Sequence, residues 1–267
     1  MKEVIKQICG DVAVRVFPKV SLSIARGETV PRGSLEKLIS SSLIRQAALS
    51  GDHKSLRNRL SQYWQGDAGD SFYDKFADRF ESSFLGGHYP LVEALIDVVN
   101  SSEGELTQLY EIGCGDGRVL HHLSGKLEGV NRFTGLDINE MIIKKNRDTY
   151  AGTSLEFHSG DATALLEEVA RPGTIVMSYG GVMEYFLEEE LATMFAMLKQ
   201  KSPVVVALVE PLYDGYDPSL ETESRPSGLE LSFSHNHRHL LEQAGFTVQF
   251  QSQPEMEFRW MMIVAQG

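Results

Sequence analysis

Residues 109–120 read Leu-Tyr-Glu-Ile-Gly-Cys-Gly-Asp-Gly-Arg-Val-Leu. An apolar run ends in an acid, Glu111. Three glycines follow at alternate positions, Gly113, Gly115 and Gly117, and Val119 and Leu120 then restart an apolar pattern. This predicts a strand, a tight turn whose glycines put no Cβ in the way, and a helix N-terminus, a geometry that lets backbone pass close to a nucleotide-like ligand. The dinucleotide fingerprint runs G-x-G-x-x-G. Here the spacing is E-x-G-x-G-x-G, and position 118 is Arg118. A pyrophosphate favours a bare helix N-terminus. A carboxylate two residues before the first glycine instead suits a cationic or amine-bearing ligand.

Four further segments follow in order. Residues 133–139 form an apolar strand ending in Asp137, with Ile138 next. Residues 155–162 end in Gly160, Asp161 and Ala162. Residues 174–185 hold Ser178, Tyr179, Gly180, Gly181, Glu184 and Tyr185. Residues 204–211 are almost wholly apolar up to Glu210, as a strand buried on both faces should be. Taken singly, each has a plain alternative. Asp137 also suits the ribose acid of a nicotinamide enzyme, and residues 160–162 also suit an ordinary loop. Together, the five segments resemble the class I S-adenosylmethionine-dependent methyltransferases from about residue 105 to the end.

That resemblance implies an α/β, Rossmann-like fold: a seven-stranded, mostly parallel sheet closed by a C-terminal antiparallel hairpin. It implies S-adenosyl-L-methionine as cofactor. Glu111, Gly113 and Gly115 would lie at the methionine end, Asp137 on the ribose hydroxyls, Ile138 on the adenine face, and Asp161 with Ala162 at the adenine amino group. Ser178, on the strand leading to the transfer site, would be a further cofactor-binding residue. The string Phe72-Tyr73-Asp74-Lys75-Phe76-Ala77 resembles a Y-D-x-x-A segment of the family, which carries Tyr73 to the methionine end; Tyr73 equally suits the edge of a surface helix. The acceptor expected is a small molecule, methylated on O or N. A base is needed only where the nucleophile must lose a proton. His235, His237 and Glu184 are the catalytic candidates, with His88 and Tyr185 behind them. Tyr185, Tyr213 and Tyr216 suggest a ring or apolar body in the acceptor pocket. Glu184, Asp214 and Asp217 suggest a neutral or cationic one. No metal is expected, since His235, His237 and His239 have no Cys or obvious carboxylate partner.

The chain divides near residue 105, giving a helical N-terminal extension over 1–104, which the resemblance implies is a lid, and over 105–267 the cofactor-binding domain it implies. Ser34 offers an N-cap, with Pro31 marking the break before it, ahead of Leu35, Leu38, Ile39, Leu43 and Ile44 at helical spacing. A second helix is predicted over 52–64, with Leu56 and Leu60 inward. A third is predicted over about 70–85, with Phe72, Phe76, Phe80 and Phe84 four apart. Another opens at His88-Tyr89-Pro90 and runs through Leu91 to Val99. The segment 211–234 reads as a long insert. After it come a helix stopped by Gly245 and two strands joined through Pro254.

The net charge of −12 opposes nucleic acid, whose binding leans on Lys and Arg neutralising phosphate. Two cysteines, Cys9 and Cys114, make no disulfide framework. No apolar run approaches about 18 residues, so no membrane partner is expected. The start lacks an apolar signal region, and a cytoplasmic protein is the default. Two other readings compete. A nicotinamide oxidoreductase predicts G-x-G-x-x-G and a Tyr-x-x-x-Lys, neither present in the right context. A non-catalytic methyltransferase-like binding module remains open, because the transfer demands no invariant catalytic group.

Overall fold

The computed structural model describes residues 2–26, 29, 31, 33–65, 78–228, 231–254, 256 and 258–267. Seven strands form one sheet: β1 Gln108–Ile112, β2 Arg132–Asp137, β3 Leu155–Ser159, β4 Thr174–Tyr179, β5 Val204–Pro211, β8 Thr247–Ser252 and β9 Trp260–Gln266. Their order is β3-β2-β1-β4-β5-β9-β8. The first five are parallel, and β9 pairs antiparallel to both β5 and β8.

The period-two pattern sorts side chains between two cores. Leu109, Ile175, Met177, Val205, Ala207, Met262 and Val264 face one side, where they meet helix α5 (Tyr89–Ser101) and helix α6 (Arg118–Ser124). Tyr110, Val176, Val204, Val206, Leu208 and Ile263 face the other. There they meet α8 (Ala162–Val169), α9 (Glu188–Lys199) and α10 (His237–Gln243). The near-continuous apolar run of β5 is thereby explained: each of its faces is covered. Helix α7 (Glu140–Thr149) follows β2, and Asn139 caps it by accepting from Met141 and Ile142 N–H at 3.0 and 3.2 Å.

The described residues before 105 form helices and connecting turns. α1 Lys2–Val16 and α2 Pro18–Ala25 pack on α3 Ser34–Ser50 through Ala13, Ile24 and Ile39. The N-cap of α3 is Gly33 rather than Ser34; the Glu36 carboxylate reaches back to Gly33 N–H at 3.0 Å. Asp52 caps α4 (His53–Trp64). Of the helix expected over 70–85, residues 70–77 lie outside the described residues, and with them Tyr73, Phe72 and Phe76. Its described remainder, Phe80–Leu85, is a π-helix, whose ring pair Phe80 and Phe84 stacks at 5.5 Å. The 211–234 insert has structure of its own, a small hairpin of β6 (Arg225–Ser227) and β7 (Ser232–Ser234). Phe233 of that hairpin and Leu187 pack on Ala47, Leu56 and Leu60, tying α3 and α4 to the sheet domain. Among the described residues no helix is long and apolar enough to cross a membrane.

Candidate functional site

A cavity of about 830 Å³ opens beyond the carboxyl ends of β1, β2, β4 and β5, and Ile112, Asp137, Tyr179 and Pro211 all line it. Open α/β sheets bind ligands in this crevice. The turn after β1 forms its floor. Gly113 has φ +67, and a Cβ there would stand 2.4 Å from Val182. Only a residue without a side chain satisfies both demands.

Glu111 and Asp137 face the cavity from adjacent strands. Glu111 is buried, and its Oε2 meets no hydrogen-bond partner among the described residues. Burial first, then the charges of Asp116 and Asp137, push its carboxyl well above the usual range. A bare buried carboxyl is costly, and a ligand cation or N–H would relieve it. Asp137 is also raised by burial, against which the N–H groups of Asn139, Gly115 and Ile138 hold it down.

Gly115, Ile138, Asp161 and Ala162 also line the cavity. Asp161 is the N-cap of α8, accepting from Ala164 N–H at 3.0 Å, and its second oxygen lies 3.6 Å from Arg57. Arg57, in α4, also donates to Glu190 at 3.0 Å and Ser61 at 2.8 Å. It therefore ties the N-terminal helices to the cavity rim, a role that a lone helical arginine does not advertise. Asn139 does the same from below, donating to Trp64 O at 3.2 Å.

Ser178 does not line the cavity. It is fully buried and donates to Glu210 Oε1 at 2.6 Å, while Glu210 Oε2 accepts Met183 N–H at 3.0 Å. Burial raises the Glu210 carboxyl to about 8. Strand parity carries the signal: Ser178 shares the face of Val176, whereas Tyr179 lies on the cavity side.

The catalytic candidates separate in the same way. Glu184, in a 3-10 turn Met183–Tyr185, lines the cavity. Its Oε2 accepts from Tyr213 Oη at 2.6 Å and from Ser232 Oγ. His235 and His237 do not line it. Both are buried under the insert, with rings 5.4 Å apart, and His235 Nδ1 meets Ser224 Oγ at 2.6 Å. Burial lowers His235 to about 4 and holds His237 well below its usual value. His88 stands behind the wall, with Nδ1 3.4 Å from Tyr179 Oη. Burial, then Arg79, lowers it to about 4.

Tyr185 and Tyr213 line the cavity, whereas Tyr216 is fully buried outside it, donating to Glu223 O at 3.2 Å. Asp217 is likewise off the wall, accepting from Ser219. Two cationic side chains that sequence reasoning missed, Arg79 and Arg259, are on the wall beside Trp260. Among the described residues no group of three His, Cys, Asp or Glu side chains is arranged to hold a metal.

Residues 109–201 match the family described as "Methyltransferase domain". A sequence search of curated proteins finds no match. Among solved structures, a SAM-dependent methyltransferase from Leishmania major superposes with a TM-score of 0.59 at 15% identity, covering 85% of this chain and 91% of that one. Magnesium protoporphyrin IX methyltransferase from Synechocystis PCC 6803, with bound SAH, gives a TM-score of 0.54 at 16% identity, covering 79% and 98%. At such identities these likenesses speak for the fold. The chain thus has the fold of these methyltransferases, and its match to the methyltransferase domain spans residues 109–201.

Proposed function

We propose that this enzyme transfers the methyl group of S-adenosylmethionine to an oxygen or nitrogen of a small-molecule acceptor, residues 105–267 holding the cofactor and 1–104 forming a helical lid. The observation that carries this is Glu111, a buried carboxyl with a bare oxygen at a turn whose Gly113 leaves no room for a side chain. That donor set fits an amine-bearing nucleoside. When bound, the cofactor supplies an electrophilic methyl on a sulfonium. Glu111 and the Gly113 turn would take the amino-acid end, Asp137 the ribose hydroxyls, and Ile138, Asp161 and Ala162 the adenine.

The acceptor would sit beside Tyr179, Tyr213 and Trp260, where flat side chains bury a ring or apolar body well. Holding the nucleophile in line supplies most of the acceleration in such a displacement. Where the nucleophile must lose a proton, Glu184 with its Tyr213 donor is the group positioned to take it. Arg79 and Arg259 offset the acids at this end, so an anionic substituent on the acceptor is admissible. Magnesium protoporphyrin IX, named for the Synechocystis enzyme, illustrates a small-molecule acceptor without identifying this one.

Titration calorimetry with S-adenosylmethionine and its demethylated product tests the cofactor. Incubation with methyl-labelled cofactor and a metabolite panel tests transfer. Binding without turnover across the panel would favour a binding module, and no binding of either nucleoside would reject the reading.

A further inference from the structure

Helices α1 and α2 leave an apolar stripe in solvent. Ile8, Val12 and Val16, spaced one helical turn apart, are 58%, 53% and 61% exposed, and Phe17 and Leu22, which follow, are 41% and 50% exposed. Residues four apart share a helix face. The opposite face is spent on the body, where Ala13 and Ile24 bury against Ile39. No residue of α1, α2 or α3 lines the catalytic cavity, so this surface is separate from the site.

The stripe is flanked by cations. Lys6, Arg15, Lys19 and Arg26 are all exposed. Residues 2–26 carry five basic and two acidic residues, in a chain whose net charge is −12. One of the two acids, Asp11, is turned onto α3, where it accepts from Ser42 and Arg45. Exposed cations on the helices that carry the apolar side chains, in an otherwise acidic protein, complement an anionic surface.

Exposed apolar side chains grouped on one pair of helices mark an interaction face. The charge beside them favours one partner. An anionic bilayer accepts an exposed apolar helix face into the headgroup boundary while Lys and Arg meet the phosphates. A symmetric contact with a second copy would instead set the same cations against each other. The sequence-level expectation of no membrane partner rested on the lack of a spanning run, which says nothing of a helix lying on the surface.

We propose that α1 and α2 dock this methyltransferase on anionic lipid bilayers, inserting Ile8, Val12, Val16, Phe17 and Leu22.

The chain offers its own probe. Cys9 is exposed beside the stripe, and the other cysteine, Cys114, is buried. An environment-sensitive maleimide dye therefore marks Cys9. With vesicles of phosphatidylcholine and phosphatidylglycerol, the protein should co-sediment and the dye emission should shift to the blue. Phosphatidylcholine alone should do neither, and added salt should weaken the effect. Val12→Glu with Val16→Glu should lower partition by about tenfold or more. Arg15→Glu with Lys19→Glu should lower it on the anionic vesicles. Binding of S-adenosylhomocysteine in the same samples checks that each variant is folded. Three results would overturn the proposal: no sedimentation with anionic vesicles, undiminished partition of the Val12→Glu, Val16→Glu variant, or a blue shift without vesicles that grows with protein concentration. The last would assign the face to a second copy.

Discussion

The carboxylate of Asp137 accepts the backbone N–H of Gly115 at 3.1 Å, so the acid that ends β2 holds the middle of the glycine turn that follows β1. Its other oxygen accepts Asn139 N–H at 2.9 Å. The same carboxylate is the one proposed to take the ribose hydroxyls. Asp137→Ala should therefore loosen the turn and weaken S-adenosylmethionine binding by roughly 2–4 kcal/mol. A calorimetric titration giving unchanged affinity would contradict the assignment.

Gly113→Ala should cost both stability and cofactor affinity. The new Cβ meets Val182 at 2.4 Å on a backbone with φ +67, and strain of this kind costs on the order of 1–3 kcal/mol. The variant paired with Val182→Ala should recover the part due to the clash and keep the part due to the backbone. Thermal melts of the single and double variants separate the two.

Once an acceptor is known, Glu184→Gln should lower transfer to a hydroxyl or ammonium group by roughly 10²–10⁴, with affinity for S-adenosylhomocysteine little changed. Tyr213→Phe should lower it less, because Ser232 still donates to Glu184. His235→Ala should leave the transfer rate per folded molecule nearly intact, since His235 does not line the cavity. A large rate loss in that variant, with little in Glu184→Gln, would reverse the assignment of the proton acceptor.

Glu210 and His235 should pull stability in opposite directions with pH. Glu210 titrates near 4.5 when unfolded and at about 8 when folded. Between those values the unfolded chain has lost a proton that the folded chain keeps, so this group's contribution falls as pH rises, by at most about 1.4 kcal/mol per unit. Glu210→Gln, which keeps an acceptor for Met183 N–H and offers a donor to Ser178, should flatten that slope. Urea midpoints of both proteins at several pH values from 5 to 8 test this, and parallel curves would refute it. For His235, lowered from 6.5 to about 4, the unfolded chain binds its proton first as pH drops. Its contribution is complete above 6.5 and lost toward 4. The stability gap between wild type and His235→Gln should therefore narrow on acidification.

Much of the fold was legible in the chain because its signals are local. The glycine turn after Glu111 needs only adjacent residues, and β5 declares its burial on both faces by an unbroken apolar run. Gly245 ends α10 with φ +89, as its place in the sequence implied. Strand parity even held the fate of Ser178, since Val176 and Ser178 must share a face.

The acceptor end was decided by tertiary structure. Tyr213 and Ser232 reach Glu184 across 29 and 48 residues of chain, and no local pattern announces such a meeting. Arg57 reaches Glu190 across 133 residues. His235 and His237 look like catalytic groups in the sequence, because an imidazole has the same composition wherever it points. Packing of the insert turned both into the interior, and left Glu184, Tyr213 and Arg79 on the wall. Sequence by itself fixes which backbone conformations and buried faces are possible, since these depend on near neighbours and periodicity. Which polar side chains converge on a cavity depends on the mutual placement of distant segments, which only the packed chain specifies.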